Sequence, residues 1–200
     1  MEIVNALGGI GAAFGLSTSA GLNAYIPLLI FALVARFTDL IQLTEPYDLL
    51  TRTWMLILLA VLLLVEMLVD KVPAADTVND IIQTLIRPTA GAVLFAANAN
   101  IISDVSPVVA LLIGVLLAGG VHSAKSIARP AVTASTAGTG NWLVSIIEDV
   151  IAVVMSILSI LLPVVMFFVT ILLLFFGGRW VLRWRRRRAS KAVAGNLSVT

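Results

Sequence analysis

The chain has 200 residues, of which 60% are hydrophobic and only 12% are charged, and its mean hydropathy is +1.07. These values lie far from those of soluble globular domains, because so much apolar surface could not be hidden from water in a chain of this length. The absence of cysteine excludes disulfides, thiolate metal sites and cysteine nucleophiles.

The charges divide the chain into two parts. Seven of the thirteen basic residues lie between Arg179 and Lys191, whereas residues 1–178 hold the other six and all eleven acids, for a formal charge of −5. This predicts a single transmembrane domain (1–178) and a basic juxtamembrane tail (179–200) with a disordered end. The positive-inside rule places the tail in the cytoplasm. Because it directly follows an apolar run, we expect it to bind anionic lipid headgroups and not nucleic acid.

The first predicted elements are two apolar segments that are too short to cross a membrane. Ile3–Phe14 and Tyr25–Phe37 each fall below the about 20 residues that span the ~30 Å hydrocarbon core. The residues between them, 15–23, are small or hydrogen-bonding. They predict either a broken helix or re-entrant hairpin with a buried irregular backbone, or one helix with a small-residue packing face. Both alternatives stay open for residues 5–37.

The middle of the chain leaves the number of membrane crossings open. Thr38–Thr53 is predicted as an interfacial loop, and Trp54–Val69 as a short span. Val72–Arg87 reads as a short amphipathic helix that lies at the membrane surface or folds back into the protein. Residues 88–102 either span or re-enter, and Val105–Val121 forms the next short span.

The last apolar stretch runs from Trp142 to Phe176, which is about 52 Å as a helix and too long for one perpendicular crossing. Pro163 divides it, so the stretch is either one kinked, tilted helix or two segments that meet near Pro163. The predicted fold class is therefore all-α: a polytopic helical membrane protein, with broken or re-entrant helices as an open alternative, around a central polar network.

The first candidate cluster is largely acidic and consists of Glu66, Asp70, Lys71, Asp76, Asp80 and Arg87. Glu66 and Asp70 are four residues apart and share a helix face, and Asp76 and Asp80 repeat this spacing. Asp76 also suits the N-cap of its helix. These carboxylates could form a structural salt-bridge network with the two cations, bind a hard cation or relay protons. Asp76 and Asp80 are weak candidates for metal ligands, because their spacing is common.

The second cluster is a basic stripe. His122, Lys125 and Arg129 stand at i, i+3 and i+7, on one face of a predicted helix. Gly114 and Ala118 continue that face as a small surface suited to close helix packing. The stripe could hold a phosphate or carboxylate, with Arg129 as the bidentate member, or it could pair with the acids or snorkel to the headgroups. His122 is the only histidine, so no second imidazole is available for zinc.

The third cluster is Glu148 and Asp149, near the start of the last apolar stretch. Adjacent helical residues point about 100° apart, so at most one of them faces a given partner. Lys125 and Arg129 are the expected counter-ions. Charges inside a membrane protein usually face one another or a polar path, which predicts one central network. Its predicted substrate- or ion-binding residues are Asn23, Glu66, Asp70, Lys71, Asp76, Asp80, Arg87, His122, Lys125, Arg129, Asn141, Glu148 and Asp149.

Ordered motifs run along residues 8–165: GLSTSAGLNAYIPL, then E-x3-DKVP-x2-D-x3-D-x6-RP-x2-GA, then H-x2-K-x3-RP and N-x6-ED. Their combination resembles a family of small prokaryotic integral membrane proteins that is catalogued only as a domain of unknown function. The resemblance implies that the residues named above belong to a shared pattern, together with Gly21, Pro73 and Pro88. It also implies a prokaryotic plasma (inner) membrane. It implies no reaction, and the Arg-rich tail is an addition to the pattern.

These observations favour a channel or transporter for a small charged solute or ion, acting as a homo-oligomer because each protomer is small. The alternatives are a membrane-embedded lipid-phosphate-binding protein or metal-dependent enzyme, and a non-catalytic membrane scaffold. An enzyme is the less favoured class, since the sequence shows no nucleophile–base pair and no GxSxG motif. No catalytic residue and no cofactor is predicted.

Overall fold

A computed structural model describes the backbone of residues 2–69, 73–99, 106–136 and 140–197, and the side chains of residues 8–69, 79, 81–99, 106–136, 140–179 and 183. Within these ranges the chain is helical and has no strand, which confirms the all-α prediction. A short 3-10 helix, Tyr47–Thr51, precedes the third helix. The α-helices are α1 (Glu2–Ala20), α2 (Tyr25–Phe37), α3 (Thr53–Val69), α4 (Pro73–Ala99), α5 (Pro107–Thr136), α6 (Asn141–Leu161) and α7 (Pro163–Leu197).

The outer surface of the bundle is apolar. Leu58 on α3 is 43% exposed, and Leu172 and Phe176 on α7 are 53% and 62% exposed. In water such a surface would drive association, so its natural solvent is lipid. Two of the described helices, α5 and α6, are long and apolar enough to cross a membrane, and α2, α3 and the first part of α7 are shorter apolar helices. These features support the polytopic membrane class.

The N-terminal region forms a helical hairpin, which decides between the two alternatives for residues 5–37. α1 ends at Ala20, and α2 begins at Tyr25, where the Oδ1 atom of Asn23 accepts the backbone N–H groups of Tyr25 and Ile26, each at 3.0 Å. The segment that follows α2, residues 39–42, lies against the first half of α1. The two helices are therefore antiparallel, and residues 21–24 form the hairpin tip.

Helix α1 lies at the centre of the bundle, where small residues let other helices approach closely. A Cβ atom on Gly11 would overlap the Pro163 carbonyl of α7, and one on Gly15 would overlap Ser159 of α6. On another face of α1, the Ser17 hydroxyl donates to the Gly91 carbonyl of α4 at 2.9 Å. Most of the small residues of the segment 15–23 thus pack within α1, and only the last of them form the break of the hairpin.

Helices α4 and α5 pack antiparallel along a small-residue seam. Gly91 of α4 lies against Gly114 and Ala118 of α5, which confirms the predicted small packing face. The helix boundaries differ from those predicted. α4 does not end at Arg87 but continues through Pro88 to Ala99, and it starts at Pro73, so Asp76 lies inside the helix and is not its N-cap.

Prolines also stand inside the longer helices, because packing against neighbouring helices compensates for the lost backbone hydrogen bond. α5 extends beyond the predicted Val121, through Pro130, to Thr136. α6 ends at Leu161 and α7 begins at Pro163, so the last apolar stretch forms two helical segments and not one kinked helix. α7 is helical to Leu197, where the composition predicts disorder.

The direction of the last two helices follows from their contacts with α1. The Ser19 and Ser156 hydroxyls lie 2.9 Å apart, and Gly15 packs against Ser159, so α6 runs antiparallel to α1. The ring of Phe14 packs edge-on against Phe167, so α7 runs parallel to α1 and the chain reverses at Pro163.

The hairpin tip therefore lies inside the bundle, about 17 Å along α1 from Gly9. It reaches the level of Arg87, Lys125 and Asp149, whereas the loop after α2 and the α6–α7 turn lie at the other end of the hairpin.

Candidate functional site

An ion pair between α3 and α4 forms the first part of the buried network. The Nη2 atom of Arg87 lies 3.0 Å from Oε1 of Glu66, and the two side chains are 1% and 2% exposed. The Nη1 atom of Arg87 lies 3.2 Å from Nδ1 of His122 on α5. Because a guanidinium can only donate, Nδ1 accepts, and His122 is the neutral tautomer that carries its proton on Nε2. That nitrogen donates to the Thr84 hydroxyl at 3.1 Å.

A second ion cluster lies between α5 and α6. The Nζ atom of Lys125 is 2.7 Å from Oε2 of Glu148, and Nη2 of Arg129 is 3.7 Å from the same oxygen. Lys125 and Arg129 are therefore the counter-ions of Glu148, as their spacing predicts. Arg87 is also close enough to Lys125 for the two cations to repel each other, so the two clusters form one electrostatic unit.

The hairpin tip bonds directly to this unit. Lys125 donates to the Leu22 carbonyl at 3.3 Å, and the Nδ2 atom of Asn23 donates to Oδ1 of Asp149 at 2.9 Å. Within the tip, the N–H groups of Gly21 and Leu22 bond to the carbonyls of α1 at 3.1 and 2.9 Å. The break in the helix is thus satisfied by its own turn and by side chains of α5 and α6.

Several members of the site carry no charge, and two of them, Tyr25 and Gln83, are missed when only charged residues are considered. Tyr25, at the start of α2, shares a hydrogen bond with Gln83 of α4 and lies close to Glu66 and Arg87. Gln83 is 1% exposed and stands four residues before Arg87. This four-residue spacing could have predicted from the sequence that Gln83 shares a helix face with Arg87. The Leu22 carbonyl has no sequence signal, because every residue carries one.

The described contacts bring most of the predicted site residues together, with two exceptions. Asn141 lies apart from the network, at the start of α6, where it shares hydrogen bonds of 3.1 Å with Thr133 of α5. The second exception is a group of four residues that lies outside the described side chains, so that its predicted role stays a prediction: Asp70, Lys71, Asp76 and Asp80.

No metal site is found among the described side chains. No three His, Asp or Glu residues within that part of the chain are grouped closely enough to hold an ion. The carboxylate of Glu148 faces two cations, a setting that favours ion pairing over metal ligation. The weak metal candidates, Asp76 and Asp80, belong to the group whose side chains are not described.

A cleft of about 480 Å³ lies at the other end of the hairpin from its tip. It is lined by the first half of α1, the segment 39–42, Asn98 of α4 and Pro163. Between the cleft and the network, the α1–α6 interface carries buried hydroxyl groups: Ser19 bonds to Ser156 at 2.9 Å and to the Ala152 carbonyl at 2.9 Å. The cleft and the network are thus joined by an interface that is closed but polar.

One comparison with known proteins finds a relationship. A family model described as "Domain of unknown function (DUF4126)" matches residues 10–183, which is most of the chain. No curated protein and no solved structure matches the chain significantly. The resemblance to a family of unknown function is thereby confirmed, and any function has to be argued from the geometry of the site.

Proposed function

We propose that this chain, which belongs to the DUF4126 family, is a multi-pass membrane protein that moves a small polar or charged solute across the bilayer. Its apolar outer surface and its helices α5 and α6 suit a lipid environment. In this proposal it acts as a homo-oligomer in a prokaryotic plasma membrane. The basic segment Arg179–Lys191 lies at the cytoplasmic face and binds anionic headgroups there.

The observation that carries the proposal is the position of the hairpin tip. Residues 21–24 have an irregular backbone, yet Gly21, Asn23 and Ala24 are buried and the tip bonds to Lys125 and Asp149. Irregular backbone at membrane depth is tolerated where protein buries it or where it lines a polar cavity. Transport proteins place broken helices at their solute sites for this reason, and ionisable residues at that depth mark solute or proton pathways.

The paired charges suggest how such a site would work. Among the described side chains, Glu148 and Asp149 together offset the charges of Lys125 and Arg129 in the closed site. A solute would compete for one of these partners or for the tip, and the polar α1–α6 interface would open towards the cleft. The hairpin is the natural moving part, because its tip is held by two hydrogen bonds that a solute can replace.

The test is a flux assay on purified protein in liposomes, with proton, sodium, potassium, chloride, phosphate, glycine and acetamide as separate probes. Flux of at least one probe is expected. Lys125→Met and Asp149→Leu should reduce it to the level of empty liposomes, because each removes a hydrogen-bond partner of the tip. Arg52→Gln, at an exposed surface pair, should keep it. Folded wild-type protein that moves none of the probes would contradict the proposal.

A membrane scaffold is the second candidate, and one observation favours it: within the described part of the chain, the buried cations bond to acids or polar groups of the protein itself. In a scaffold, such pairs would only fix how the helices pack. The flux assay separates the two, since a scaffold predicts no flux and Lys125→Met would then affect stability alone. The lipid-phosphate-binding and enzyme alternatives have less support, because His122, Lys125 and Arg129 are all buried.

A further inference from the structure

Two buried polar atoms on one face of α4 have no hydrogen-bond partner among the residues that the structure describes. They are Oε1 of Gln83, an acceptor, and Nε of Arg87, a donor. Each side chain is 1% exposed. Because the residues are four apart in a helix, they share a face, and both lie beside Tyr25 of the hairpin. A buried polar atom without a partner is costly, so a pair of them on one face calls for an explanation.

The remaining polar atoms of these two side chains are already engaged. Arg87 uses Nη2 for Glu66 and Nη1 for His122, and Nε is the one of its three nitrogens that has no hydrogen-bond partner among the described residues. Gln83 bonds to the Tyr25 hydroxyl, and its Oε1 atom is left without a partner. What would satisfy this face is therefore one group that accepts from Arg87 and one that donates to Gln83.

Among the side chains that the structure describes, the charges around this face are balanced. The ionised groups of the described network are three acids and three bases: Glu66, Glu148, Asp149, Arg87, Lys125 and Arg129. A ligand with a net charge would leave that charge uncompensated in a site of low polarity, whereas one without net charge would not.

We propose that the Gln83–Arg87 face is a binding subsite for a small solute that carries one acceptor and one donor but no net charge, as a zwitterion or a neutral primary amide does. The subsite rests on the proposed transport function and narrows its solute class. An acceptor oxygen of the solute meets Nε of Arg87, and an N–H group meets Oε1 of Gln83. Tyr25 of the hairpin bonds to Gln83, so solute binding at Gln83 is linked to movement of the tip.

The experiment is thermal unfolding of the purified full chain with four probes of similar size: glycine, acetamide, acetate and methylammonium, at equal concentration and ionic strength. Glycine or acetamide should raise the midpoint of unfolding, because a ligand that binds the folded state stabilises it. Acetate and methylammonium should not. A shift by glycine alone identifies a zwitterion, and a shift by acetamide identifies a neutral amide.

Matched variants complete the test. Gln83→Leu should lose the shift, or Gln83→Met, which keeps the length of the side chain, if the leucine variant does not fold. Thr170→Val is the control, because it removes a different buried polar atom, a hydroxyl on α7 that has no hydrogen-bond partner among the described residues, and it should keep the shift. Equal shifts with all four probes, no shift with any of them, or a shift that survives in Gln83→Leu would overturn the subsite.

The outcomes also separate the subsite from the proposed function. A Gln83-dependent shift without any liposome flux of the shifting probe would leave the subsite standing and overturn transport. Flux without a Gln83-dependent shift would leave transport standing and overturn the subsite. An experimental map that shows only an ordered water between Nε of Arg87 and Oε1 of Gln83, in the presence of the probes, would also overturn it.

Discussion

Two arginine–carboxylate pairs have nearly equal N···O distances but differ in how deeply they are buried. The Glu66–Arg87 pair is 3.0 Å long with side chains 2% and 1% exposed, and the Asp48–Arg52 pair is 3.2 Å long with side chains 31% and 58% exposed. The distance is thus a poor guide to the role of a pair. Solvent can replace either partner of the exposed pair, but nothing replaces a lost partner of the buried pair.

The two pairs also differ in what they connect. Asp48 and Arg52 are four residues apart in one local turn, so their pairing adds little to the tertiary structure. Glu66 and Arg87 join α3 to α4, and through His122 they also hold α5. The buried pair therefore fixes the packing of three helices, so losing one of its partners should lower the free energy of unfolding more than losing a partner of the exposed pair.

The largest effect is expected from separating the buried pair. Glu66→Leu leaves the Arg87 charge buried without its carboxylate, which should lower the free energy of unfolding by about 3–5 kcal/mol. The double variant Glu66→Leu/Arg87→Met should regain most of that loss, because no charge is then left alone. Reversible unfolding in mixed detergent micelles measures both. A single variant as stable as the wild type would show that the pair contributes as little as a surface one.

A smaller effect is expected where α4 packs on α5, since this contact brings Arg87 to His122. A Cβ atom on Gly91 would overlap Ala118 and the Gly114 carbonyl. Gly91→Ala should therefore lower the free energy of unfolding by about 1–3 kcal/mol. Gly120→Ala is the matched control, because open space surrounds Gly120 and alanine favours the helix by up to about 1 kcal/mol. Equal effects of the two substitutions would disprove close packing at Gly91.

The hairpin tip should respond to loss of its cap. Asn23→Ala removes the acceptor for two backbone N–H groups of α2 and the hydrogen bond to Asp149. We expect a loss of about 1–2 kcal/mol in the free energy of unfolding, the usual range for a helix cap. Asn23→Ser keeps a capping oxygen but cannot reach Asp149 in the same way, so its effect should be intermediate. If serine were as destabilising as alanine, the bond to Asp149 would dominate.

The smallest effect is expected at the exposed pair. Asp48→Asn should change the free energy of unfolding by less than about 1 kcal/mol, and the change should shrink as salt is added, because ions screen exposed charges. The effect of Glu66→Leu should hardly depend on salt. Unfolding curves of both variants at low and high ionic strength make the comparison, and a salt-sensitive Glu66→Leu effect would argue that water reaches the buried pair.

Much of the site could be predicted because it obeys local periodicity. The spacing of His122, Lys125 and Arg129 places them on one helix face, and the structure finds all three buried there. Gly114 and Ala118 continue that face and form the contact with α4. The spacing of Gln83 and Arg87 carried the same information, but an uncharged amide does not stand out in a search for charges.

The sequence by itself determined the helical class, the apolar exterior and the basic stripe, because composition and periodicity act between residues close in the chain. Only the tertiary structure decided which acid meets which base, that the hairpin tip reaches Lys125 and Asp149, and that Asn141 lies elsewhere. These contacts join residues far apart in the chain. They depend on how the helices cross, which a local pattern of residues does not specify.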